Sequence, residues 1–135
     1  MISYAVSLGM PSDNILYRDY LPTAYVPDND GLFIGTDVYP SQKPVSENSK
    51  VSYKAAVAHE IVGHREAYLQ GWSQPEGYHL PSTLMEEIQA SIRAARFAPG
   101  LLRSERIQLL RDAVERLPHA ARMRDIKSRL HIMSR

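Results

Sequence analysis

The residues best suited to chemistry are His59-Glu60-Ile61-Val62-Gly63-His64. Two imidazoles and a carboxylate so close together can hold a divalent metal and take a proton from water. The chain has no cysteine, so any zinc site must be built from His and carboxylates. In a familiar zinc-hydrolase pattern two His stand at i and i+4 on one helix, with a Glu directly after the first. Four residues of α-helix advance about 400°, so both imidazoles share a face. Here the second His is at i+5. That spacing advances about 500° and leaves the rings roughly 140° apart in a regular helix. A π-bulge absorbs one residue and restores the shared face, and Gly63 permits the distortion. The spacing therefore predicts His59 and His64 as metal ligands, Glu60 as general base, and loose winding between residues 59 and 64.

A third protein ligand would leave the fourth zinc position open to water. Glu86 and Glu87 are the candidates from the next helix. Thr83 and Glu86 have the spacing of a capping box, and the face of Glu86 continues through Gln89 and Arg93 and reads as polar. Glu87 lines up instead with Leu84, Ser91, Ala94 and Ala98. Small residues let that face approach the helix of His59, and a carboxylate buried there needs a cation. Glu87 is thus assigned to the metal and Glu86 to the cap, with Glu66 and His79 as reserve ligands. Stabilising the oxyanion of an attacked carbonyl takes a nearby donor. His79, Tyr78, Tyr68 and Arg65 are candidates, and His79 is favoured because it sits in a Gly/Pro-bounded loop between the two metal helices.

The first motif resembles the HExxGH motif of the dipeptidyl peptidase III family, which carries the same one-residue insertion. The resemblance implies two zinc-binding His, Glu60 as base, and a third ligand from a downstream double-Glu helix. Glu86-Glu87-Ile88-Gln89-Ala90-Ser91 matches the double Glu but has Ser91 where that family has an acid. The likeness covers only these two segments, in a chain far too small for that family's architecture. A wider resemblance runs from about Ala56 to the C-terminus, through Arg65-Glu66-Ala67 and Glu86-Glu87 to Ala94-Ala95-Arg96. It is similar to the C-terminal metallopeptidase toxin modules of bacterial Rhs-type polymorphic toxins. That implies a protein or peptide substrate, delivery into a competing cell as part of a larger toxin, and a cognate immunity protein.

Several elements must position these residues. Residues 51–70 hold no proline, are rich in alanine, and place Val57, Ile61, His64 and Tyr68 at helical spacing, with Gly71 as the stop. A second helix is expected from Thr83 to about Phe97. A third runs from about Ser104 to Leu117 with Ile107, Leu110, Val114 and Leu117 buried, and a fourth follows Pro118. On the N-terminal side, Ile2, Tyr4, Val6 and Leu8 alternate with polar or small residues and predict a half-buried strand. Residues 9–30 read mainly as loop, with a short strand near Tyr25 and Val26. A strand over residues 31–39 is expected at the sheet edge beside the metal helix, where a peptide substrate would pair. The expected fold is α+β and zincin-like, a single domain with a strand and loop part over residues 1–50 and about four helices over 51–135.

At 135 residues the chain suits one compact core. No apolar run approaches a membrane span, and the N-terminus lacks the layout of a signal peptide. The expected location is the cytoplasm, or export on a larger precursor. Charge is uneven: residues 1–92 carry −6 and residues 93–135 carry +7. The alternative to an enzyme is therefore a binding module using the basic C-terminal helices for nucleic acid or an acidic partner. The ordinary reading, a solvated helix face, is preferred.

Overall fold

The computed structural model of the protein describes residues 2–35, 52–76 and 80–135. It is an α+β fold built on a small three-stranded sheet. The apolar run between glycines forms the central strand β3 (Gly31–Gly35), which pairs in parallel with β1 (Ile15–Arg18) and antiparallel with β2 (Ala24–Val26). The register sets Ile15 opposite Leu32 and Tyr25 opposite Leu32 from the other side. Gly35 is required where the β1–β2 connection crosses the strand end, because a β-carbon there would lie 1.8 Å from the Leu21 carbonyl oxygen. The Thr23 hydroxyl accepts the Gly35 N–H at 2.9 Å.

Two expectations about this region are corrected. Residues 31–35 form the centre of the sheet, so the edge beside the helix of His59 is β2; residues 36–39 lie outside the described residues. The N-terminal segment is a helix, α1 (Ile2–Ser7), rather than a strand. Over so few residues the period-two and helical patterns overlap. Packing decides between them: Ala5 and Leu8, three apart, are buried, whereas Ile2 and Val6 are 40% and 43% exposed.

The long helix is a continuous rod of three parts: α2 (Tyr53–Ala58), a π segment (His59–Arg65) and α3 (Glu66–Leu69). Its N-cap is Ser52, whose side chain accepts the Ala55 N–H at 3.1 Å. It ends at Gly71, whose φ of +75° suits a residue without a β-carbon. Ala55, Ala56, Val57 and Ala58 are wholly buried, and the π segment packs closely on α4 (Ser82–Phe97). The expected capping box is not formed. Pro81 occupies the N-cap, which places Thr83 inside the first turn, and Glu86 accepts the Gln74 N–H at 3.0 Å.

The expected polar face of α4 is also corrected, since Gln89 and Arg93 are 2% and 0% exposed. Both satisfy irregular backbone packed against the helix. Gln89 donates to the Trp72 carbonyl and accepts the His131 N–H, while Arg93 donates to the carbonyls of Val62, His131 and Ser134. In α5 (Arg103–Glu115) the buried residues are Glu105, Leu109, Asp112 and Ala113, and Ile107, Leu110 and Val114 are partly exposed, against expectation. The fourth helix shrinks to α6 (Met123–Ile126) and a 3-10 turn (Lys127–Arg129). Residues 130–135 then run as a strap over α4, with Leu130 and Ile132 buried. Among the described residues, no helix is long and apolar enough to cross a membrane.

Candidate metal centre

The π segment does what the residue count requires. Its ladder closes i to i+5, with the Glu66 N–H donating to the Ile61 carbonyl. The two imidazoles therefore meet, with His59 Nε2 and His64 Nε2 3.2 Å apart and the rings edge to face. Glu87 arrives from α4, its Oε2 3.0 Å from His59 Nε2 and its Oε1 3.0 Å from His64 Nε2. A tetrahedral zinc with bonds of about 2.0–2.1 Å holds its ligand atoms about 3.3 Å apart. The three side chains are spaced as such a site requires.

The donor set fits a cation on chemical grounds too. Three groups rich in lone pairs converge, and neighbouring imidazole nitrogens at this distance need a proton or a metal between them. Glu87 shows the strain of sharing. Burial works against its negative charge, but the His59 and His64 rings, each 3.0 Å from one of its oxygens, outweigh that and hold its carboxyl far below the usual carboxylate range. For His64, burial pushes the pKa down, yet the hydrogen bond to Glu87 and the charges of Glu60, Glu87 and Glu86 raise it to about 9.

Glu60 also places an oxygen within 4.8 Å of the two His nitrogens, which makes it a geometric alternative to Glu87 as third ligand. The two carboxylates differ in what holds them. Glu87 touches both imidazoles directly, whereas Glu60 Oε2 accepts the Tyr25 backbone N–H at 3.0 Å. Glu60 is thus tethered to the edge strand β2 through one of its two carboxylate oxygens. That tether uses the outward amide of Tyr25, one of the few edge groups of so short a strand.

Behind the ligands lies a chain that the sequence did not reveal. His59 Nδ1 is 2.9 Å from Ser91 Oγ, and the Ser91 hydroxyl donates to Asp112 Oδ2. Arg116 Nε donates to the same oxygen at 2.9 Å, and its Nη1 stands 3.4 Å from Glu87 Oε2. Ser91 was visible as the residue one turn beyond Glu87 and as the departure from the acid of the resembling motif. Asp112 of α5 stands behind the serine and accepts its hydroxyl proton. Asp112 and Arg116 carried no local sequence signal, because their role depends on how α5 packs.

The remaining candidates separate clearly. Arg65 turns away to Asp30, with N–O distances of 2.7 and 3.1 Å, and to the Gly9 carbonyl. Glu66 is engaged by Arg135 at 2.8 Å and leaves the reserve ligands. Tyr68 is half exposed and lines the cleft beside Tyr25, their ring centroids 6.4 Å apart. Tyr78 and His79, the favoured donor, lie outside the described residues. Trp72 packs instead against His131, stacked at 5.3 Å.

The cleft at the cluster has a volume of about 470 Å³, and Pro22, Ala24, Tyr25, Glu87 and Arg116 are among the residues that line it. His64 and Glu60 line it too. Such a space admits several residues of an extended chain or a small molecule of similar bulk. Comparison with known proteins finds no family model, curated protein or solved structure that matches the chain.

Proposed function

We propose that the chain is a zinc-dependent hydrolase, with a peptide bond as its substrate and Glu60 as its general base. The observation that carries this reading is the convergence of His59, His64 and Glu87 on one point through a π turn. Bound zinc would supply Lewis acidity, polarising a carbonyl and making a water easier to deprotonate. His59, His64 and Glu87 would hold it. Glu60, anchored through Oε2 by the Tyr25 amide, takes the proton of the attacking water on its other oxygen and returns it to the leaving amine. Tyr68, at the cleft wall, and His79 are the donors proposed for the developing oxyanion. A toxin or effector setting, with a cognate immunity protein, remains the implication of the sequence resemblance.

The arginines of the C-terminal half weaken the alternative of a nucleic-acid-binding module. Arg93, Arg96, Arg106, Arg116 and Arg135 are occupied by carbonyls or carboxylates of the fold itself. Much of the basic excess thus holds the protein together instead of facing a polyanion. The test combines elemental analysis with Glu60→Gln. Stoichiometric zinc in both proteins, and loss of hydrolysis of a broad peptide set in the variant alone, is expected. Zinc-free wild type, or a variant with undiminished turnover, overturns the reading.

A further inference from the structure

The cluster contains a closed ring of contacts that runs outside the ligand set. From His59 it passes through Ser91 to Asp112, through Arg116 to Glu87, and back to His59. We propose that Asp112 and Arg116, in and just beyond the last turn of α5, are positioning residues for the metal site, fixing the ring state of His59 and the carboxylate of Glu87. This inference rests on the metal reading above and extends it to a helix that supplies no ligand.

The direction of each hydrogen bond follows from what each group can do. Asp112 Oδ2 receives both Arg116 Nε and the Ser91 hydroxyl, and a carboxylate oxygen only accepts. The single hydroxyl proton of Ser91 is therefore committed to Asp112. Ser91 Oγ can then only accept from His59, which assigns the proton of the neutral ring to Nδ1. His59 Nε2 is left with its lone pair, and that nitrogen faces Glu87 and His64. A metal ligand needs this tautomer, and a partner on the far ring nitrogen selects it.

Arg116 acts on the other arm. Its Nη1 draws on Glu87 Oε2, while Oε1 stands 3.0 Å from His64. One guanidinium thus spans the two carboxylates that serve the site, a planar fork that a lysine would not reproduce. Burial makes the chain selective: Ser91 is 0% and Asp112 7% exposed, so water offers little competition for these bonds. It also accounts for the unexpected face of α5, which buries an acid where the sequence pattern called for Ile107 or Leu110.

The ring state and the metal affinity are measured separately. In metal-free protein, nitrogen NMR of the neutral His59 ring is expected to show the Nδ1–H tautomer in wild type and in Asp112→Asn, which keeps an acceptor oxygen. Ser91→Ala and Asp112→Ala are expected to move it toward Nε2–H, which Glu87 can accept. By competition with a chromophoric chelator, zinc affinity falls about 10–100-fold in Ser91→Ala and Asp112→Ala. Arg116→Met also weakens zinc but leaves the tautomer unchanged. An unchanged tautomer and wild-type affinity in Ser91→Ala, which removes one oxygen and is the variant to rely on if Asp112→Ala fails to fold, overturns the positioning role. A wild type that takes up no zinc overturns the metal reading alone, because the ring measurement needs no metal.

Discussion

Gly63 packs directly onto Ala90: a β-carbon on Gly63 would lie 2.6 Å from the Ala90 carbonyl oxygen and 2.7 Å from its β-carbon. The glycine of the motif thus serves the approach of α4 as well as the winding of the helix. Gly63→Ala must push the two helices apart, and Glu87 rides on the one that moves. Overpacking of this kind costs about 1–3 kcal/mol. Denaturant unfolding is expected to show that loss, with a larger proportional loss in zinc affinity than Ala90→Gly produces. Full zinc affinity in Gly63→Ala would show that the contact does not set the ligand geometry.

The metal-free site should be sensitive to alkali. His64 titrates at about 9, above its ordinary 6.5, because the pull of Glu87 and neighbouring carboxylates overcomes burial. Its proton stabilises the metal-free fold fully below pH 6.5, and that contribution disappears as pH rises through 9. Zinc requires the neutral ring, so its affinity should climb about tenfold per pH unit across the same window. Calorimetry in buffers of different ionisation enthalpy is expected to count about one proton released per zinc at neutral pH. Binding without proton release would contradict the proximity of His64 and Glu87.

Glu87→Gln tests the ligand itself. The amide keeps the shape but loses the charge that holds His64 protonated and would balance the metal. The expected results are zinc affinity lower by at least about 100-fold and a His64 pKa moved down. A zinc affinity equal to wild type would transfer the third position to Glu60.

Asp30 pins the helix of His59 and His64 to the sheet through Arg65. The Arg65 guanidinium holds its carboxyl below the usual range, against a smaller effect of burial and with help from the Tyr25 hydroxyl. The stability this gives is present above pH 3.8 and is lost as pH falls through the depressed value. Asp30 has a left-handed backbone with φ +48°, which asparagine also adopts readily, so Asp30→Asn removes charge without adding strain. A loss of about 1 kcal/mol at neutral pH is expected for a pair this exposed. Thermal scans should show the gap between the two proteins closing in acid.

The helix of His59 and His64, β3, the span of α4 and the approach of Glu87 were legible because each is local: a residue count, a run between glycines, a face of small side chains. The π turn was legible for the same reason, since His59 and His64 can share a face in no other helical winding. Where reading failed, burial and polarity had parted company. Glu105 and Asp112 lie buried in α5 to serve Ser52 and Ser91, so the apolar residues that should have marked the inner face are displaced outward. Gln89 and Arg93 likewise look like solvent-facing residues until the strap they hold is in place. Helix α1 was lost to a shorter ambiguity, because seven residues satisfy two periods at once.

The swollen turn has one more effect. It takes up an extra amino acid without rotating what comes after, whereas adding one to regular winding would swing all later side chains by about 100°. Arg65 and Tyr68 consequently keep the bearings they would have on a rod one unit shorter. Length can change at the middle of this rod while its far end stays in phase.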